Sequence, residues 1–228
     1  MKIKILGTRG KIETQQKLHS KHSGILIDEK LLIDVGEKEF LEYNPQYIFF
    51  THLHPDHAWF IETNESFDGK VPLFTPEENA LIKSPQVISD SIQVEQYWIT
   101  PIPTIHSIKV KSQGYIVKKA EKKIFYSGDM VWIEKKHHHL LSDLDLVITD
   151  GSFIKKGGAI RRREDQIFGH NGIPDLVHFF KKFTRHIVFT HFGTWFMKDA
   201  EEATRKIKSF ETNDLRIDVA CDGKEYKV

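Results

Sequence analysis

The sequence predicts an α/β (α+β) fold. Strand-length apolar runs come in groups, helix-length stretches fall between only some of them, and no linker divides the 228 residues. Lys2 to Gly7, Gly24 to Asp28, Leu31 to Asp34 and Tyr47 to Thr51 read as the first strands, the middle pair forming a hairpin over the polar turn Asp28-Glu29-Lys30. Val71 to Thr75, Trp98 to Ile105, Lys111 to Lys118 and Lys123 to Ser127 follow. Leu146 to Thr149, His186 to Thr190 and Arg216 to Val219 complete the set. Helices are expected at Glu37 to Tyr43, Asp56 to Glu62, Pro76 to Lys83, Pro174 to Phe183 and Lys198 to Phe210. Without a Pro/Gly/Ser-rich stretch, a long charge block or a solenoid repeat, residues 1–228 are expected to form a single domain.

The densest chemistry is Thr51-His52-Leu53-His54-Pro55-Asp56-His57, which follows the apolar run Tyr47-Ile48-Phe49-Phe50. If the strand continues through His52 and His54, both imidazoles point to one side, because side chains alternate along a strand. Pro55 suits the first position of a helix and turns Asp56 and His57 into its opening. Two pairs of ligands can thus face two neighbouring ions. Imidazole with carboxylate selects transition metals, zinc foremost, with manganese or iron as alternatives.

These residues resemble the H-x-H-x-D-H signature of the metallo-β-lactamase superfamily, and further segments follow in that family's order. Pro103-Thr104-Ile105-His106-Ser107, Ser127-Gly128-Asp129 and Ile187-Val188-Phe189-Thr190-His191 match its later ligand segments; Leu31-Leu32-Ile33-Asp34-Val35-Gly36 matches the one that supports the metal loop. The match runs from Lys2 to about Phe196. It implies a four-layer αββα sandwich of two mostly antiparallel sheets with helices outside. It also implies two divalent ions: one on His52, His54 and His106, the other on Asp56, His57 and His191, with Asp129 bridging. Asp34 would accept a hydrogen bond that orients a ligand. Such a pair clamps an oxygen nucleophile and brings the pKa of bound water toward neutrality.

Val147-Ile148-Thr149-Asp150-Gly151-Ser152-Phe153 and the later Gly169-His170-Asn171-Gly172 resemble the ribonuclease Z and cyclic phosphodiesterase branch. There a carboxylate orients a histidine that gives a proton to the leaving oxygen or holds a phosphate oxygen. Asp150 and His170 occupy the matching positions. The departures are Asp where ribonuclease Z usually has Glu, and Asn-Gly-Ile-Pro after the histidine. Between them, Lys155, Lys156, Arg161, Arg162 and Arg163 surround Gly157-Gly158. They read either as a phosphate-binding loop or as a solvated surface loop.

Composition limits the partners. A net charge of +1 and the absence of a long inserted tRNA-binding arm fit a small phosphodiester or nucleotide end better than a long nucleic acid. No apolar run is long enough to cross a bilayer, the basic start lacks an apolar core, and the single Cys221 has no internal partner. A cytoplasmic protein without a membrane partner is expected; an oligomer stays open. The leading reading is a binuclear hydrolase of phosphodiesters with hydroxide held by the metals as nucleophile. The alternatives are a lactone or thioester hydrolase on the same scaffold, and a non-catalytic metal-binding or nucleic-acid-binding scaffold. His19 and His22 read as exposed loop residues, and His137-His138-His139 as a surface helix face.

Overall fold

The computed structural model describes residues 1–228. The first half carries β1 (Lys2–Gly7), β2 (Gly24–Ile27), β3 (Leu31–Ile33), β4 (Tyr47–Phe49), α1 (Phe60–Thr63), β5 (Leu73–Thr75), β6 (Gln86–Val87), β7 (Ile92–Val94), β8 (Tyr97–Pro103) and β9 (Gln113–Lys119). The second half adds β10 (Lys122–Tyr126), β11 (Leu146–Asp150), β12 (Ala159–Arg163), β13 (Gln166–His170), α2 (Ile173–Phe180), β14 (His186–Thr190), α3 (Thr194–Lys198), α4 (Ala200–Lys208), β15 (Arg216–Val219) and β16 (Glu225–Lys227). Two seven-stranded sheets result, ordered β16-β1-β2-β3-β4-β5-β6 and β15-β14-β11-β10-β9-β8-β7.

Both sheets are mixed, where mostly antiparallel sheets were expected. In each, three neighbouring pairs are antiparallel and three are parallel. The parallel strands β11 and β14 are continuous apolar runs, as strands covered on both faces must be.

Alternation along the strands builds three cores. Ile5, Ile27 and Phe49 of the first sheet meet Tyr115, Val117, Ile124, Ile148 and Val188 of the second. The opposite face of the second sheet (Phe125, Val147, Ile187, Phe189) packs under Leu176, Phe180, Phe196 and Ile207 of the helices. The outer face of the first sheet (Leu26, Leu32, Ile48, Phe50) packs under Phe40 and Phe60. The order is therefore helix, sheet, sheet, helix, the four-layer sandwich expected.

Several elements differ from expectation. Pro76 to Lys83 is not helical: the Asn79 side chain takes the Leu81 amide at 2.9 Å, and the Phe67 backbone bonds to Leu81 and Lys83. A local side-chain acceptor and a cross-chain partner outcompete the helical ladder there. The stretch from Asp56 forms a turn, with α1 beginning only at Phe60. Residues 198–210 split into α3 and α4 at Asp199, whose carboxylate caps α4 through the Glu202 amide at 2.9 Å. No helix is long and apolar enough to cross a membrane.

Asp28 pins the two sheets together at one end. It sits at the tip of the β2–β3 hairpin with φ +48°, a left-handed conformation that Asp and Asn tolerate. Its carboxylate accepts from Lys119 Nζ of β9 at 2.7 Å, from Tyr97 Oη of β8 at 2.8 Å and from the Lys2 amide at 2.7 Å. Burial alone would raise its pKa, but these donors more than reverse that and hold it below the usual carboxylate value. The sign follows: this stabilisation is complete above the unfolded pKa near 4 and is lost as the pH falls through the depressed folded value. Asp28→Asn should cost about 1–3 kcal/mol at pH 7. It should also flatten the acid limb of a pH series of urea melts; an unchanged acid limb would rule out this role.

Candidate functional site

The candidate ligands converge at one edge of the sandwich, where the strand ends of both sheets open. His52, His54, His106 and Asp129 place one donor atom each within 4.8 Å of one another; Asp56, His57, Asp129 and His191 do the same beside them. Asp129 belongs to both groups. Its Oδ1 lies 3.2 Å from both His57 Nε2 and His191 Nε2, and its Oδ2 lies 3.7 Å from His52 Nε2 and 3.6 Å from His106 Nε2. Each carboxylate oxygen thus faces one group. His54 points Nδ1 inward, 3.1 Å from His52 Nε2 and 3.2 Å from His106 Nε2.

The inward nitrogens are fixed by bonds made behind them. His57 Nδ1 donates to Asp34 Oδ2 at 2.7 Å. The Thr51 hydroxyl donates to the same carboxylate at 2.9 Å and so accepts from His52 Nδ1 at 3.0 Å. One buried aspartate therefore sets two imidazoles, directly and through a threonine. His106 Nδ1 donates to the Gly169 carbonyl at 2.9 Å.

Asp150 repeats the device. Its Oδ2 lies 2.7 Å from His170 Nδ1; its Oδ1 accepts from the Ser152 hydroxyl at 2.5 Å, which accepts in turn from His191 Nδ1 at 2.8 Å. Thr51 and Ser152 are the residues that the sequence reading left without a role. Each lies within two positions of a residue it did single out, but a hydroxyl relay leaves no spacing signature.

Backbone conformation does the final aiming. Asp34 (φ +61°) and His191 (φ +56°) are non-glycine residues in the left-handed region, where strain concentrates at functional sites. Gly128 at φ +56° lets the Asp129 segment close on Thr51: a Cβ there would lie 2.7 Å from Thr51 Oγ1.

The electrostatics are those of a cation site. Burial, reinforced by the neighbouring imidazoles, holds His52 well below the ordinary histidine pKa and His54 near about 4. Burial acts the same way on His57 and His191, yet Asp129 and Asp34 raise His57 to about 10, and Asp129, Asp150 and Asp56 raise His191 well above its usual value. His57 Nε2 and Asp129 Oδ1 are both buried without a hydrogen-bond partner. Two orphaned polar atoms facing one point, ringed by imidazole and carboxylate donors, fit a divalent metal.

A cavity of about 530 Å³ opens over these groups, lined among others by His170, Phe153, Trp195, Lys11 and Lys109. His170 lies against the ligand cluster, its ring centroid 4.8 Å from that of His106. Lys155, Lys156, Arg161, Arg162 and Arg163 do not line this cavity. Ala159 to Arg163 pairs with Gln166 to His170 as an exposed hairpin, with Arg163 opposite Gln166. The arginines therefore run outward from His170 to roughly 13 Å at strand rise. The cations at the cavity are instead Lys11 and Lys109, from two loops that carry no motif.

Other histidines also find different settings. His19 is buried, not exposed, bonded through Nδ1 to Thr8 Oγ1 at 2.9 Å and packed edge-on to Phe192 and Phe196. His22 is half-buried against Glu37. His138 lies on a 3-10 turn and anchors to the Ile133 carbonyl at 2.8 Å.

A four-layer sandwich with two metal-suited His/Asp groups at its open edge is the arrangement of the metallo-β-lactamase fold. A family model described as the beta-lactamase superfamily domain matches residues 41–192, and the chain belongs to that superfamily. Among solved structures it is similar to the metallo-beta-lactamase fold protein YhfI from Bacillus subtilis, with TM-score 0.71, 16% identity, and 99% and 98% of the two chains covered. It is likewise similar to a diphosphatase from the PhnP family, with TM-score 0.70, 20% identity, and 99% and 97% covered. The short form of human tRNase Z follows, with TM-score 0.65, 17% identity, and 100% and 99% covered. No curated protein matches the sequence at a significant level.

Asp34 gives the sharpest test of this architecture. Asp34→Asn keeps the shape but removes the charge that faces His57 and Thr51. Zinc affinity, measured by competition with a chromogenic chelator, should fall by about 10–100-fold. An affinity unchanged from the parent would show that Asp34 serves only the fold.

Proposed function

We propose that the chain is a metal-dependent phosphodiesterase acting on a small phosphodiester or nucleotide end. The observation that carries this reading is the Asp150–His170 pair. Asp150 Oδ2 accepts a hydrogen bond from His170 Nδ1 at 2.7 Å, which leaves the other ring nitrogen for the cavity that the metal-suited groups share. Burial opposes a charge on His170, but Asp150 and Asp129 more than offset it and raise its pKa. A protonated imidazole held this way can give its proton to an alkoxide leaving oxygen.

Lys11 and Lys109 add two cations to the same cavity, as a phosphodiester anion requires and a neutral lactone or thioester does not. The likeness in fold to a PhnP-family diphosphatase and to a tRNase Z is consistent with phosphate chemistry.

His52, His54 and His106 would hold one divalent ion, Asp56, His57 and His191 a second, with Asp129 shared. Such ions supply positive charge to the phosphoryl oxygens and acidify water. The protein's own part is to orient each donor through Asp34, Thr51, Asp150 and Ser152, to bind the anion, and to hold a proton at His170. In this reading the Asp56 carboxylate, whose Oδ2 lies 3.0 Å from His191 Nε2, also accepts a hydrogen bond from the attacking water.

Three results are expected. Metal analysis of reconstituted protein should give two ions per chain, and a single ion would overturn the binuclear assignment. Asp56→Ala should cut turnover by the order of 10²-fold or more; near-normal activity at full metal loading would contradict its role. His170→Ala should slow an alkyl phosphodiester far more than a p-nitrophenyl one, because nitrophenolate leaves without protonation. Equal losses on both, or faster turnover of lactones than of every phosphodiester, would favour the acyl-hydrolase reading.

A further inference from the structure

A second space lies beside the cavity over the ligand groups, next to His106. That histidine lies on Ile105-His106-Ser107, and while His106 faces the cavity, Ile105 and Ser107 line a second, larger groove of about 830 Å³. Lys109 lines both spaces, so the groove is the immediate neighbour of the site. Its far wall is the tip of the β12–β13 hairpin, at Asp165, Gln166 and Ile167. We propose that this groove is a second subsite for the non-reacting substituent of the substrate, and that it selects a neutral, hydrogen-bonding substituent such as a sugar or nucleoside. The inference rests on the phosphodiesterase reading and names the substrate class within it.

Charge excludes an anionic extension. The charged groups on the groove are Lys109 and Lys111 against Glu77 and Asp165, two of each sign. Glu77 is itself turned to the Lys111 amide at 3.2 Å, and Asp165 stands at the hairpin tip on the groove's wall. A second phosphate would meet as much repulsion as attraction there.

Hydrogen bonding excludes a purely alkyl extension. The walls carry the hydroxyls of Ser89, Thr104, Ser107 and Ser112. Thr104 is 8% exposed, and its Oγ1 and the Ser112 Oγ are both buried without any hydrogen-bond partner. Buried polar atoms are nearly always satisfied, so these two hydroxyls, on residues that line the groove, are hydrogen-bonding capacity the chain itself does not use. Val87, Ile88 and Val110 supply the apolar contact that the carbon skeleton of such a ligand needs.

The test uses the full chain loaded with zinc and two product-like probes, thymidine 5′-monophosphate and methyl phosphate, titrated calorimetrically. The nucleotide should bind at least tenfold tighter. Val87→Trp, at a half-exposed edge-strand position, fills the groove without touching a ligand residue and should abolish that difference while leaving methyl phosphate within twofold. Ser112→Ala should weaken only the nucleotide, by about three- to tenfold, the loss of one hydrogen bond. An unchanged melting temperature and zinc content confirm that each variant is folded.

Equal affinity for both probes, no measurable nucleotide binding, or loss of both probes in Val87→Trp overturns the subsite. Tighter binding of thymidine 3′,5′-bisphosphate than of the monophosphate assigns the groove to an anionic extension and also overturns it. The hydrolase reading is read out separately, by turnover of thymidine 5′-(p-nitrophenyl phosphate). Groove-dependent binding without such turnover sinks the phosphodiesterase and leaves the subsite standing.

Discussion

The site depends first on a buried carboxylate that touches no substrate. Asp34 has no exposed surface, yet it accepts from the Thr51 amide, the Thr51 hydroxyl and His57. A buried charge survives only where its hydrogen bonds are made, so Asp34 forces Thr51 and His57 into one geometry. Thr51 then forces His52. The loop that carries the clustered ligands is thus held from below by β3, and Gly128 brings Asp129 onto the same threonine. Removal of any member leaves another buried group unpaired, which couples the metal groups to the packing of the first sheet.

Asp150 does for the second sheet what Asp34 does for the first. Each aspartate follows the apolar core of a strand, holds one imidazole directly and reaches another through a hydroxyl. The consequence is a division of effect. His170 bonds to Asp150, whereas Asp150 also holds His191 through Ser152. On the proposed reading, substitution of His170 bears chiefly on proton delivery, and substitution of Asp150 on the orientation of His191 as well.

What could be read from the sequence was what side-chain identity determines. The imidazoles and carboxylates stand in recognisable segments, and the strands before them are plain apolar runs, so the convergence of His52, His106, Asp129 and His191 was anticipated. Strand pairing was less legible, since a buried parallel strand and a buried antiparallel one look alike in composition. Pro76 to Lys83 read as a helix because the Asn79 turn and the contact with Phe67 lie outside any helical pattern. The arginines after Gly158 read equally as a phosphate loop or a solvated one because their spacing hides the pairing of Ala159 to Arg163 with Gln166 to His170. Lys11 and Lys109 had no signal at all: each is an ordinary surface-type residue, placed at the cavity by the loops that carry it.

The proton balance of the ligand groups argues further for a cation. Asp56 and Asp129 are held well below the usual carboxylate pKa chiefly by His191 and His57, despite the burial that opposes it. Without a metal, those two histidines keep protons that neutral imidazoles would shed near pH 6.5. That protonated arrangement stabilises the fold fully below the unfolded histidine pKa and fades as the pH rises toward the folded value, about 10 for His57. A divalent ion replaces the protons with charge that is not lost at high pH, and its binding must expel them. Metal affinity therefore rises with pH over the same interval in which the metal-free fold loses stability. The group of Asp56, His57, Asp129 and His191 is, in effect, a place of negative potential that either protons or a metal ion can fill.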